Sequence, residues 1–211
     1  MALLHVYRPL IRPTLFAIIL GGCATLPSIP ELSHPESSGL ALDLRLRAPI
    51  GPFSRTPDQI YFVKIDSDDT SGPRQIVPSN YSTGSRAYLL NARPGTYVAV
   101  AASLVQNQGM GGPSTRFTTY FSKELVEQTK VTLREHDFAF MGTYIVDNLV
   151  GFDGREGVDT DYTTVFVLAA RGDVRYRGVL REGRKDEQAR NDFFRKAKED
   201  LAGSGWTARI K

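Results

Sequence analysis

Cysteine and tryptophan each occur once in these 211 residues, and histidine occurs three times. A single cysteine excludes a disulfide framework and a cysteine-built zinc site. Only His136 lies beyond residue 40, so zinc sites with two or three histidines are excluded, and HExxH is missing. A Ser-His-Asp site would have that one imidazole to use, and no Gly-x-Ser-x-Gly elbow accompanies it. Long apolar runs are absent too. Thr14–Leu20 is broken upstream by Arg12 and Pro13 and falls far short of the roughly 20 residues of a spanning helix. Charge is nearly balanced, with 26 Lys+Arg against 23 Asp+Glu.

The sequence opens on an address. Arg8 and Arg12 form a positive leader without an acid, Thr14–Leu20 is a short apolar core, and Gly21 and Gly22 precede the only cysteine. Leu20-Gly21-Gly22-Cys23 resembles the lipobox of bacterial lipoproteins: an aliphatic residue, two small residues, then cysteine. Small residues open the backbone to a signal peptidase, and a thiol can take a diacylglyceryl group. The resemblance implies that residues 1–22 are removed and that Cys23 becomes an acylated N-terminus. Two or three acyl chains anchor stably where one does not. In diderm bacteria, Ala24 rather than Asp after the cysteine implies an outer-membrane destination. The expected membrane partner is thus reached through acyl chains.

Removing the leader leaves 24 positive against 23 negative residues, which takes away most of the electrostatic case for nucleic acid. Residues 171–211 are net positive by five, and residues 23–170 net negative by four. Residues 23–39 hold Pro27, Pro30 and Pro35 among several serines and read as a lipidated N-terminus followed by an extended tether.

From Leu40 the pattern changes to period two: Leu40, Leu42, Leu44 and Leu46 alternate with Ala41, Asp43, Arg45 and Arg47. Further strands are predicted over 60–65, 87–91, 96–105, 115–122, 129–133, 138–146, 163–170 and 174–180, with a short helical turn possible over 122–128. They are rich in Val, Thr, Phe and Tyr and separated by Gly, Pro, Asn and Asp clusters. The expected fold over 40–211 is one all-β domain, an antiparallel sandwich of about eight or nine strands. Within it, Leu89–Val98 resembles a hairpin of prealbumin-like and carboxypeptidase-regulatory-like sandwiches, where Pro-Gly (here Pro94-Gly95) precedes a strand opening with Tyr. This resemblance supports the fold class and implies no activity.

The end of the chain is helical in pattern. Over 186–202, Ala189, Phe193, Ala197 and Leu201 share a face, with Asp186 as N-cap and Gly203 as the left-handed stop. Trp206, Ala208 and Ile210 then alternate as in a short closing strand, with Trp206 as a packing plug.

Two acidic loops have the oxygen-rich composition of calcium sites. Asp66–Gly72 begins like an EF-hand loop, but Ser71 takes the glycine place and Val77 that of the bidentate Glu. Asp153, Glu156, Asp159 and Asp161, with Gly154 and Gly157 between them, are the weak metal candidates; the alternative is a solvated turn. Gln108–Pro113 lacks the Gly-Lys-Ser/Thr ending of a phosphate loop and reads as a hairpin tip, and Arg171-Gly172-Asp173 reads as a tight turn. No cofactor is implied. The expectation is a non-enzymatic, lipid-anchored interaction or assembly module of the envelope with an unidentified protein partner. A small-ligand or calcium-binding module is the alternative, and a hydrolase built on paired carboxylates a third.

Overall fold

A computed structural model describes residues 28–49, 51, 53–66, 75–107, 113–150 and 174–211. Cys23, Asp153, Glu156, Asp159 and Asp161, the strand predicted over 163–170 and Arg171–Asp173 lie outside the described residues, as does most of the Gly-rich tip.

The fold is all-β with a C-terminal helix. Its strands are β1 (Ser38–Arg47), β2 (Ser54–Arg55), β3 (Gln59–Lys64), β4 (Ile76–Pro78), β5 (Tyr81–Thr83), β6 (Arg86–Ala92), β7 (Gly95–Asn107), β8 (Ser114–Phe121), β9 (Val131–Leu133), β10 (Phe138–Leu149) and β11 (Val174–Arg184). Helix α1 spans Lys123–Thr129 and α2 spans Glu187–Asp200. The strands form one connected sheet in the order β4-β3-β7-β8-β11-β10-β1-β6-β5, with β2 beside β1 and β9 beside β7.

The all-β class with its C-terminal helix holds, and the departure from an antiparallel arrangement lies in two strand pairings. β1 pairs with β10, and β8 with β11, in parallel, so the sheet is mixed, and it is continuous. Strands distant in sequence can lie side by side without a hairpin, and their pairing leaves no local pattern. Pro94-Gly95 does precede a strand, with a bend at Pro94 and Gly95 opening β7 at φ 144°, but there is no hairpin: β6 and β7 pair with different neighbours rather than with each other.

The sheet curls until its two ends meet. β4 and β5 are joined by Ser79 and Asn80, whose amides donate to Ile60 O (2.7 Å) on β3 and Tyr88 O (3.0 Å) on β6. The Asn80 side chain adds a two-way clamp on Leu90, accepting from its N–H and donating to its carbonyl at 2.8 Å each. The corner thus satisfies backbone groups that an open edge would expose.

Period-two patterning now has a direct meaning. Leu40, Leu42, Leu44 and Leu46 point into the curl, where they meet Phe62, Ile60, Tyr144 and Val146. Ala41, Tyr88, Leu90, Phe138 and Phe140 point outward and would be exposed, but Phe193, Phe194, Ala197 and Leu201 of α2 cover them. Asp186 caps α2 as predicted, accepting from Ala189 N at 2.8 Å, and Gly203 has φ 77°. The segment after it is a 3-10 helix over Gly205–Arg209, not the expected strand; Trp206 is nevertheless fully buried. Helix α1 confirms the turn predicted over 122–128, with Ser122 as its N-cap.

Candidate functional site

Because β1, β7 and β10 run one way and β8 and β11 the other, the curled sheet has two distinct poles. At the first, β1 and β10 begin. The Pro/Ser-rich segment from Ser28 on lies there against the body: Ile29 and Leu32 pack on the outer core, and Trp206 Nε1 donates to Pro30 O at 2.7 Å. Ser38 and Gly39, at the end of the segment read as tether, already belong to β1. The segment has too few apolar side chains for a core of its own, yet two suffice to join one that other elements supply.

The contacts of this arm are specific. Asn91 and His136 are the two non-glycine residues with positive φ among the described residues, at 62° and 61°. Both hold the arm. Asn91 accepts from Ser33 N (2.9 Å) and donates to Glu31 O (2.8 Å). His136 Nδ1 lies 2.8 Å from Pro35 O, and since a carbonyl only accepts, that nitrogen carries the proton. Asn and His tolerate the left-handed region better than most residues. His136 is accordingly a turn residue with a structural partner.

Beside the arm, the outer face carries a half-buried polar network. Arg86 makes a bidentate pair with Asp200 at the end of α2, at 2.5 and 2.7 Å. Tyr88 Oη donates to the same carboxylate, and Tyr81 Oη to its backbone oxygen at 3.1 Å. The hydrogen bond to Asp200 holds the Arg86 guanidinium firmly protonated, while burial, then Asp200, pushes the Tyr88 hydroxyl well above its usual range. These four bonds lock α2 onto the sheet.

The second pole is where β1, β7 and β10 end. Here the described residues open a cavity of about 220 Å³ inside the mouth of the curl. Leu46, Leu104 and Phe117 form apolar walls, and Phe117 stacks nearly parallel with Tyr176 (8° between planes, centroids 6.2 Å apart). A Cβ on Gly178 would come within 2.7 Å of Thr119 Cγ2 and 2.9 Å of Val146 Cγ1, so the sheet closes tightly just below the cavity. Arg55, Gln106, Thr119 and Asn148 supply its polar groups. Arg55 Nη1 donates to Gln106 Oε1 across the mouth at 3.0 Å, and Thr119 Oγ1 donates to Asn148 Oδ1 at 3.0 Å. Asn148 is only 8% exposed.

The same pole bears the exposed large apolar side chains of the described residues: Phe53 (69%), Val150 (72%), and to a lesser degree Val105, Leu149 and Val174. The sequence placed Leu46 on an apolar strand face but marked none of the cavity residues as functional. One signal was present: Asn148 continues the inward phase of Tyr144 and Val146, a polar residue where the period calls for an apolar one.

The acidic motifs give less. Asp66 accepts from Thr96 N at 2.7 Å and so ties the end of β3 to β7. Among the described residues no three His, Cys, Asp or Glu come together as a metal site requires, and no helix is long and apolar enough to cross a membrane. No carboxylate of the described residues lines the cavity. No protein family, curated protein or solved structure matches this chain.

Proposed function

We propose that this chain is a lipid-anchored envelope lipoprotein that acts as a non-enzymatic interaction module. Cys23, acylated, holds it in the outer membrane, and the open pole engages a protein partner. The observation that supports the reading is the division of the surface. Exposed large apolar side chains gather around the cavity mouth, as interaction surfaces do, while the chain's N-terminal arm is bound at the other pole. With Ile29 docked, the six-residue step from Cys23 spans at most about 22 Å. The anchor therefore lies close to the pole that carries the arm, and the open pole is directed away from the lipid.

Two measurements test this. Labelled palmitate should enter the wild-type chain and not Cys23→Ser; undiminished labelling of the variant removes the anchor. A photo-crosslinking residue placed at Phe53 or Val150 in intact cells should give a discrete adduct that one placed at exposed Lys198 on α2 does not. Recovery of the free monomer alone from all three positions overturns the interaction module. A second reading, a small-ligand module, is favoured by the cavity itself.

A further inference from the structure

We infer that the cavity at the open pole is a binding site for a small apolar monocarboxylate, an aromatic or short aliphatic acid. Size sets the first limit. Sites for drug-sized ligands measure roughly 300–1,000 Å³, whereas roughly 150 Å³ takes up a benzene. The 220 Å³ found here suits a single ring or short chain with a small polar end. The walls set the second. Leu46, Leu104 and the paired rings of Phe117 and Tyr176 offer an apolar slot whose stacked faces favour a flat body.

The polar end follows from counting what the side chains have left to offer. Gln106 Oε1 already accepts from Arg55, and Asn148 Oδ1 already accepts from Thr119. The NH₂ of each amide has no partner among the described residues, each amide oxygen keeps one lone pair, and Arg55 keeps further N–H groups beyond the one given to Gln106. With no acid among the described lining residues, the site is rich in donors and carries a fixed positive charge at its rim. A ligand that brings acceptors only, and a negative charge, meets this arrangement best: a carboxylate directed toward Arg55, with its apolar body in the slot. Gln106 positions the guanidinium over the mouth.

This inference is independent of the anchor and of any protein partner, so it can fail while the proposed function stands, and the reverse. The test uses the full chain in lipid nanodiscs, with empty nanodiscs as reference, and titrates 3-phenylpropionate and its neutral amide by calorimetry. Saturable one-site binding is expected, with the acid about tenfold tighter than the amide, the worth of a charge-assisted hydrogen bond. Arg55→Gln, at an exposed position, should lower the acid to the affinity of the amide and leave the amide unchanged. Ala48→Trp, which fills the mouth from its rim, should abolish binding of both. The inference is overturned by the absence of saturable binding at millimolar ligand. It is also overturned by undiminished binding to a folded Ala48→Trp protein, or by equal affinity for acid and amide in the wild type.

Discussion

The two poles of the curled sheet use polar groups in opposite ways. At the arm pole, polar groups are turned on one another: Asp200 takes both Arg86 and Tyr88, and Asn91 serves the arm with both ends of its amide. At the open pole, Gln106 and Asn148 use one end of each amide and leave the other facing a cavity. Apolar groups divide in the same way. Phe193 and Phe194 of α2 and Trp206 after it are buried against the sheet, whereas Phe53 and Val150 stand in solvent. Fully satisfied networks rigidify and specify a structure. Exposed apolar surface and unused donors stabilise nothing until something binds. The difference separates the groups that stabilise the fold from those on which the proposed recognition depends.

That division can be broken in order of expected effect. Asp200→Ala leaves the half-buried Arg86 and the buried Tyr88 without their carboxylate, a loss of about 3 kcal/mol, the lower end for one partner of a buried pair. Urea unfolding should show the drop, with α2 released from the sheet. Alkali attacks the same half. Burial raises the hydroxyls of Tyr88 and Tyr144, and of Tyr81 and Tyr97 to a lesser degree, above the usual value near 10. The folded chain then holds protons that the unfolded chain has lost. This stability is whole below about pH 10 and is lost as pH rises through the folded values. Thermal melts between neutral pH and strong alkali should therefore fall steeply above pH 10.

Asn91→Ala removes two hydrogen bonds to the arm and places a poorer residue at positive φ, a loss of about 1–3 kcal/mol. Asn91→Gly restores the backbone and not the bonds, so the difference between the two variants isolates the strain. Hydrogen exchange over residues 31–37 should rise in both. The smallest effect on stability belongs to the open pole. Phe53→Ser and Val150→Ser should change unfolding by no more than about 0.5 kcal/mol, yet both should weaken crosslinking to the partner. A large stability loss at either residue would blur the contrast between the poles.

Much of the fold was legible because it is written locally. The alternation of four leucines against Ala41, Asp43, Arg45 and Arg47 marks a strand whose leucines share one buried face, as they do in the structure, although Ala41 and Asp43 on the other face are buried as well. Asp186, the apolar stripe of α2 and Gly203 likewise each act through residues a turn away. The candidate site was not legible. Leu46, Gln106, Phe117, Asn148 and Tyr176 come from five strands and meet only because β8 and β10 flank β11, and β10 lies beside β1. Asn148 on its own was a discordant polar residue in an apolar phase. The arm was misleading for a related reason, since proline and serine describe a segment's own preference and not what a neighbouring core will accept.

The sequence by itself determined the strand periodicity, the helix with its cap and stop, and the shortage of cysteine and histidine that narrows the chemistry. It also carries the lipobox pattern at Cys23. These are properties of single residues and of neighbours along the chain. Only the tertiary structure decided the parallel pairings, the docking of the arm at Asn91 and His136, and the donor-lined cavity at the opposite pole. The physical reason is separation. Asn148 and Thr119 stand 29 positions apart, and Trp206 and Pro30 stand 176 apart. Contacts across such distances depend on the path of the whole sheet and leave no local spacing to read.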